Sequence, residues 1–206
     1  MNQRNKRIIS GIIYVIIMWF GVSYSVFSYR LLFFILLILS VYEMWHLRKG
    51  KSKILAFTYI STPFILAQYL IHDESNIKLM LFLFVLTWTF DTFAYIIGIK
   101  FGKTRILPSI SPKKSWEGFL GGFISTIIIA YISHGYFNIG NIKTALIIGV
   151  TLPFTATAGD FIESYYKRQA KVKDSGNIIP GHGGILDRMD AFIVTIPVIY
   201  ILINLI

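Results

Sequence analysis

The segment from Leu79 to Ile99, LMLFLFVLTWTFDTFAYIIGI, runs for 21 residues and carries one charge, Asp91. Its length and apolarity match the hydrocarbon core of a bilayer, which a helix crosses in about 20 residues. Lipid offers the backbone no hydrogen-bond partners, so such a segment has to satisfy its own N–H and C=O groups as a helix. A carboxylate in the middle of that helix is costly, and cost of this kind points to a functional group. Both features, the apolar span and the acid buried within it, recur along the chain.

Six further segments have comparable character: 8–27, 31–47, 54–71, 118–137, 144–166 and 189–206. The chain's 206 residues are 55% hydrophobic and 15% charged, with a mean hydropathy of +0.65. Soluble domains hold roughly 45–50% apolar residues, so the solvent for this chain is a bilayer. The expected fold is all-α: a polytopic transmembrane helical bundle of about seven spans. We read one integral membrane domain over 1–206, with a helical part at 1–90 and a chemical part at 91–206 that carries loops 100–117 and 167–188. No clean alternation of apolar and polar residues supports a β-barrel. Residues 1–7 are basic and lead into apolar sequence, yet no small-x-small cleavage site follows, and the segment reads as a retained first span. The chain has no cysteine, which excludes disulfides, zinc–thiolate sites and cysteine nucleophiles.

The net charge of +10 would suggest nucleic acid in a soluble protein. Here its first meaning is topological. Alternate loops collect Arg4, Lys6 and Arg7; Arg48, Lys49, Lys51 and Lys53; Lys100, Lys103, Arg105, Lys113 and Lys114; and Lys167, Arg168, Lys171, Lys173 and Arg188. The intervening loops hold Arg30, Lys78 and Lys143. Basic residues stay on the cytoplasmic side, which puts the N-terminus inside. No nucleic-acid partner is expected.

The acids are more selective. Asp73 and Glu74 fall in an outer loop, Asp91, Asp160 and Glu163 fall within spans, and Asp187 and Asp190 stand where the last span begins. Glu43 and Glu117 lie near inner ends, where interfacial solvation explains them as readily as function. At the helical rise, Asp160 lies about 9 Å and Asp91 about 13 Å below the inner ends of their spans. Asp91, Asp160, Asp187 and Asp190 can therefore line one cavity open to the cytoplasm. The three-residue spacing of Asp187 and Asp190, and of Asp160 and Glu163, puts each pair on one helix face. Clustered carboxylates repel unless a cation lies between them, and hard oxygen ligands suit Mg²⁺ together with substrate phosphates.

Two basic loops flank these acids. In the first, Ser111-Pro112-Lys113-Lys114-Ser115-Trp116-Glu117-Gly118, Ser115 can cap the next helix and leave its free N–H groups facing an anion. A plain positive loop touching anionic lipid is the simpler alternative. The second loop is denser: Lys167, Arg168, Lys173 and Asp174 precede Pro180-Gly181-His182-Gly183-Gly184-Ile185-Leu186-Asp187-Arg188-Met189-Asp190. Glycines let backbone amides come close to an anion, and charge bias alone does not call for Gly-His-Gly-Gly. The stretch from Gly98 to Thr104 mimics a nucleotide phosphate-binding loop, but it is one residue short and follows a membrane helix rather than a strand. Gly118 and Gly122 fit a small-xxx-small helix-packing pattern.

Read together, Ser164 through Asp190 resembles the signature of the phosphatidate cytidylyltransferase (CDP-diglyceride synthase) family. Asp91-Thr92-Phe93-Ala94-Tyr95, Phe101-Gly102-Lys103, Ser111 through Gly118 and Gly159-Asp160 resemble that family's upstream motifs in order and spacing. The first 90 residues match only as generic membrane helices. The resemblance implies a nucleotidyltransferase of phospholipid biosynthesis, which joins CTP and phosphatidic acid into CDP-diacylglycerol and pyrophosphate. It implies Mg²⁺, with a second cation as an option, held by Asp160, Asp187 and Asp190. Asp91 and Glu163 would support those ligands from outside the coordination sphere. Lys173, Asp174, His182 and Arg188 would complete the catalytic set. Ser111, Lys113, Lys114, Ser164, Lys167, Arg168, Gly183 and Gly184 would bind substrate. The implied setting is the lipid bilayer of a bacterial cell (inner) membrane, with the active site facing the cytoplasm and a homodimer allowed. Two alternatives stay open: a CTP-dependent polyprenol or phytol kinase, and an ion-coupled transporter.

Overall fold

The computed structural model describes residues 3–48, 52–71 and 74–205. Asp73, Lys49 and Lys51 of the expected loops, and Ile206 of the last expected span, lie outside the described residues. Among the described residues there are seven long helices: α1 (Gln3–Ser23), α2 (Val26–Leu47), α3 (Lys53–Leu70), α4 (Glu74–Phe101), α5 (Trp116–Ser133), α6 (Ile142–Gln169) and α7 (Leu186–Leu205). Four of them carry stretches long and apolar enough to cross a membrane, at Val26–Leu47, Asn76–Phe101, Trp116–Ser133 and Ile142–Gln169, and Arg7–Ser23 is a shorter apolar helix. Each expected segment thus contains a helix, and the class is all-α. Outward faces of α1, α2 and α5 expose Ile12, Phe20, Phe34, Ile124 and Ile128, a surface that only an apolar solvent tolerates.

Helix ends differ from the sequence expectation in ways that matter for chemistry. Lys167 and Arg168, expected in a loop, form the last turn of α6; cations there oppose the negative end of the helix dipole. α7 begins at Leu186, so Asp187 and Arg188 lie in its first turn rather than in the loop before it. Between α4 and α5 the expected loop folds as an antiparallel hairpin, β1 (Arg105–Leu107) with β2 (Ser111–Ser115). Its turn places Pro108 after Leu107, whose carbonyl accepts from Ile110 N–H at 3.2 Å, and proline presets the dihedral for that position. Glu117 anchors the base of the hairpin by accepting from the N–H groups of Lys103 (3.1 Å) and Thr104 (3.0 Å). Ser115 caps α5 as expected, accepting from Gly118 N–H at 3.2 Å.

Two close helix contacts set the frame. A Cβ on Gly118 would lie 2.6 Å from the Ala94 carbonyl oxygen, and one on Gly122 would lie 2.8 Å from that of Phe90. The small-xxx-small pattern therefore brings the backbones of α4 and α5 together. Between α6 and α7, Thr155 and Thr195 hydroxyls pair at 2.8 Å. Higher up, a side chain at Gly159 would run into the Asp190 carbonyl. Gly159 thus lets α6 and α7 meet at the level of Asp160 and Asp190.

Candidate active site

Asp160 and Glu163 on α6 face Asp190 on α7, and one carboxylate oxygen from each lies within 4.8 Å of the others. Glu163 is fully buried, and its Oε1 accepts no hydrogen bond among the described residues. It ion-pairs with Lys167, one turn further along the same helix. Asp160 ion-pairs with Lys114 of β2 and accepts from Ser164 Oγ at 3.3 Å. Asp190 accepts from Ala191 N–H at 2.7 Å. Three carboxylates this close repel one another, and two ammonium groups on flexible stems supply the balancing charge. Burial pulls the Lys114 ammonium below the ordinary lysine range, against the opposing pull of Asp190 and Asp91. An all-oxygen donor set with unsatisfied lone pairs on Glu163 fits a hard divalent cation such as Mg²⁺.

Asp187 sits elsewhere. Its Oδ2 accepts from Ser175 N–H (2.8 Å), Ser175 Oγ (2.9 Å) and Gly184 N–H (2.8 Å), while Oδ1 accepts from Lys167 Nζ (2.7 Å). Four donors hold this carboxylate as an anchor for the glycine-rich loop. Lys167 bridges it to Glu163, so the structure groups Glu163 with Asp160 and Asp190 and joins Asp187 to them through an ammonium. Gly183, at φ +88°, passes so close that a Cβ would lie 2.5 Å from Asp187 Oδ2. Glycine is the residue that takes this left-handed turn at no steric cost.

Glu43, which the sequence leaves evenly balanced between interfacial solvation and function, has a structural role here. It lies on α2 and is 2% exposed. Its carboxylate accepts from Ser175 Oγ (2.9 Å), Ile185 N–H (3.0 Å) and Leu186 N–H (2.8 Å). These amides open α7 and have no partner within the helix, and a carboxylate is favoured at that positive end. Glu43 therefore holds both the start of α7 and the serine that holds Asp187. A single acid in an otherwise apolar span was the available signal, and its position near the inner end hid it.

Helix α1 also reaches the loop. Ser10 Oγ donates to Pro180 O at 2.8 Å and pairs with His182 Nδ1 at 2.7 Å. Burial, with Arg188 and Arg7 nearby, holds the His182 imidazole below its ordinary range. Arg188 Nη2 donates to the His182 carbonyl at 2.9 Å, while its Nε has no partner among the described residues.

Asp91 lines two cavities. The larger, about 640 Å³, runs to Ser111, Lys113, Lys114 and Asp160. The smaller, about 430 Å³, contains His182, Asp187, Arg188 and Asp190. Both are within the size range of ligand sites. Arg168 Nε donates to Ile110 O at 3.3 Å and braces the hairpin turn. Lys173 and Asp174 are exposed on the loop and belong to the wall of neither cavity.

Comparison with known proteins gives a consistent relation. Residues 7–206 match the Cytidylyltransferase family. A phosphatidate cytidylyltransferase of Rickettsia typhi is 38% identical over 214 residues, spanning 94% of this chain and 89% of that protein. One from Haemophilus influenzae is 41% identical over 132 residues, covering 61% of this chain and 46% of the relative. One from Thermotoga maritima is 43% identical over 125 residues, covering 58% and 46%.

Proposed function

Since the chain belongs to the Cytidylyltransferase family, we propose that it transfers the cytidylyl group of CTP to phosphatidate, yielding CDP-diacylglycerol and pyrophosphate. The observation that carries this reading is the Asp160–Glu163–Asp190 cluster, set between two cavities and neutralised by Lys114 and Lys167. An oxygen of the phosphatidate phosphate attacks the α-phosphorus of CTP. That P–O bond forms as the bond to the β-phosphate breaks, and pyrophosphate leaves with the electron pair. The nucleophile is already an anion, so no serine, cysteine or histidine nucleophile is required. The protein's task is to bring two anions together in line, which is positioning and charge neutralisation.

Asp160, Glu163 and Asp190 would hold Mg²⁺, which when bound supplies positive charge to the phosphoryl oxygens. In the larger cavity Lys113 and Lys114 face the nucleotide phosphates, with Ser111 beside them. Lys167 keeps Glu163 and Asp187 from repelling each other and can turn toward a phosphate once a cation takes its place. Arg168, braced against the hairpin turn, and the exposed Lys173 would draw in CTP and guide pyrophosphate out. Asp187, with Ser175, Gly183 and Gly184, sets the shape of the loop that carries His182. The bias of basic residues toward alternate loops supports a site facing the cytoplasm of a bacterial cell, with the N-terminus on the same side.

The test uses membranes containing the protein, phosphatidate and Mg²⁺, with CTP labelled at either the α- or the γ-phosphate. The expected result is lipid labelled from the α position alone, lost on adding EDTA. Label entering lipid from the γ position would make the chain a CTP-dependent kinase and overturn the reading.

A further inference from the structure

The two cavities that meet at Asp91 extend in opposite directions. The larger follows α4 from Asp91 past Ala94 and Gly98 to Gly102, about 16 Å toward the loops at the helical rise. The smaller continues the other way, to Thr87 and Trp88 on α4 and to Ala191 and Phe192 on α7, one turn deeper into the apolar layer. Its third wall is α1, through Gly11, Tyr14 and Val15. Gly11, Val15 and His182 also line a neighbouring groove of about 450 Å³, which follows α1 along Arg7, Ile8, Ile12 and Ile16. Ile8, Ile12 and Ile16 are 55%, 54% and 48% exposed, so the groove faces the lipid.

We propose that the smaller cavity and this groove form the phosphatidate site, with the phosphomonoester beside Arg188 and His182 and the acyl chains along α1. The assignment rests on the cytidylyl-transfer reading and adds to it the side from which each substrate arrives. Charge and shape carry it. The head of an anionic lipid needs a cation at the inner edge of the apolar layer, and Arg188 offers there a buried Nε that has no partner among the described residues. A guanidinium also matches phosphate geometry better than an ammonium. His182 is fixed through Nδ1 by Ser10, which leaves its Nε2 toward the groove. The chains need an apolar path that opens sideways, and the α1 face supplies one. The head then meets Asp190 from the α1 side while the nucleotide meets Asp160 from the hairpin side. Two anions approaching the carboxylate cluster from opposite sides is the arrangement that in-line attack requires.

The experiment reconstitutes the full chain in phosphatidylcholine vesicles with a trace of phosphatidate carrying a photoactivatable diazirine on its acyl chain. No CTP is added, so the result does not depend on turnover. The expected labels map to residues 8–16 of α1 and to Thr87 or Trp88, and excess unlabelled phosphatidate removes them. A Cβ on Gly11 would lie 3.1 Å from His182 Cε1, so Gly11→Leu should displace the ring and cut the labelling several-fold. Val15→Trp, at a residue that lines the same cavity and groove, should give the same loss if Gly11→Leu does not insert. In turnover, either variant should raise KM for phosphatidate and leave KM for CTP unchanged, with Lys113→Ala doing the reverse. Competable labelling on Tyr95, Ile99 or Phe119 would overturn the assignment, as would equal labelling of α1 by a diazirine phosphatidylcholine. Competable α1 labelling in a protein that transfers no cytidylyl group would instead sink the proposed reaction and leave the lipid site standing.

Discussion

Helices α6 and α7 bring Asp160, Glu163, Lys167, Asp187 and Asp190 to one place, whereas α1 and α2 bring Ser10, Tyr14 and Glu43. The first group holds the charge that phosphate chemistry needs. The second group touches mainly the loop and the start of α7: Ser10 fixes His182 and Pro180, Tyr14 reaches the Arg188 carbonyl at 3.4 Å, and Glu43 caps Ile185 and Leu186. Charge and alignment therefore come from opposite ends of the chain. A site of like charges is unstable by itself, and the buried acid that orders it comes from a helix with no recognisable motif.

The largest expected effect lies on the charge side. Asp190→Ala or Asp160→Ala should lower α-label transfer by about a thousandfold, the scale on which removing charge stabilisation acts, while the protein still inserts and purifies. Near-normal turnover in either variant would break the comparison at its root. Next comes Glu43→Ala, which leaves two amides at the start of α7 without their acceptor and Ser175 Oγ with Asp187 alone. Turnover should fall by about 10- to 100-fold, as for residues that orient ligands rather than supply them, and thermal unfolding should show a loss of about 1–3 kcal/mol. Full activity there would reduce α2 to packing. Ser10→Ala removes both hydrogen bonds that Ser10 makes to the loop, each worth about 1 kcal/mol, so kcat/KM should fall by about 5- to 30-fold. Glu117→Gln should change turnover by no more than about twofold, because an exposed tie of this kind contributes little. A large loss there would mean that the hairpin base, and not just its lysines, sets the reaction geometry.

The sequence made the helices legible because the bilayer imposes one length and one polarity on each. It made Asp160 and Glu163 legible as acids at membrane depth, and Asp190 as an acid at the membrane boundary. Partnership across helices was harder to read. Spacing put Asp187 and Asp190 on one face of α7, but it did not say that Lys167 and the Ser175–Gly184 amides would claim Asp187 while Glu163 joined Asp190. A turn of helix fixes direction, and the choice between a cation and a loop amide depends on what lies opposite. Glu43 was least legible, since the amides it caps lie more than 140 residues further along the chain. The hairpin escaped because its strands are three and five residues long, too short for any alternation to show.

Manganese binding to the purified protein, followed by electron paramagnetic resonance, separates charge from alignment most directly. Asp160→Asn, Glu163→Gln and Asp190→Asn should each lose the bound Mn²⁺ signal, and Glu43→Gln should keep it while turnover falls. Retention of the signal in Asp190→Asn together with its loss in Glu43→Gln would mean that Asp190 does not hold the cation and that α2 does.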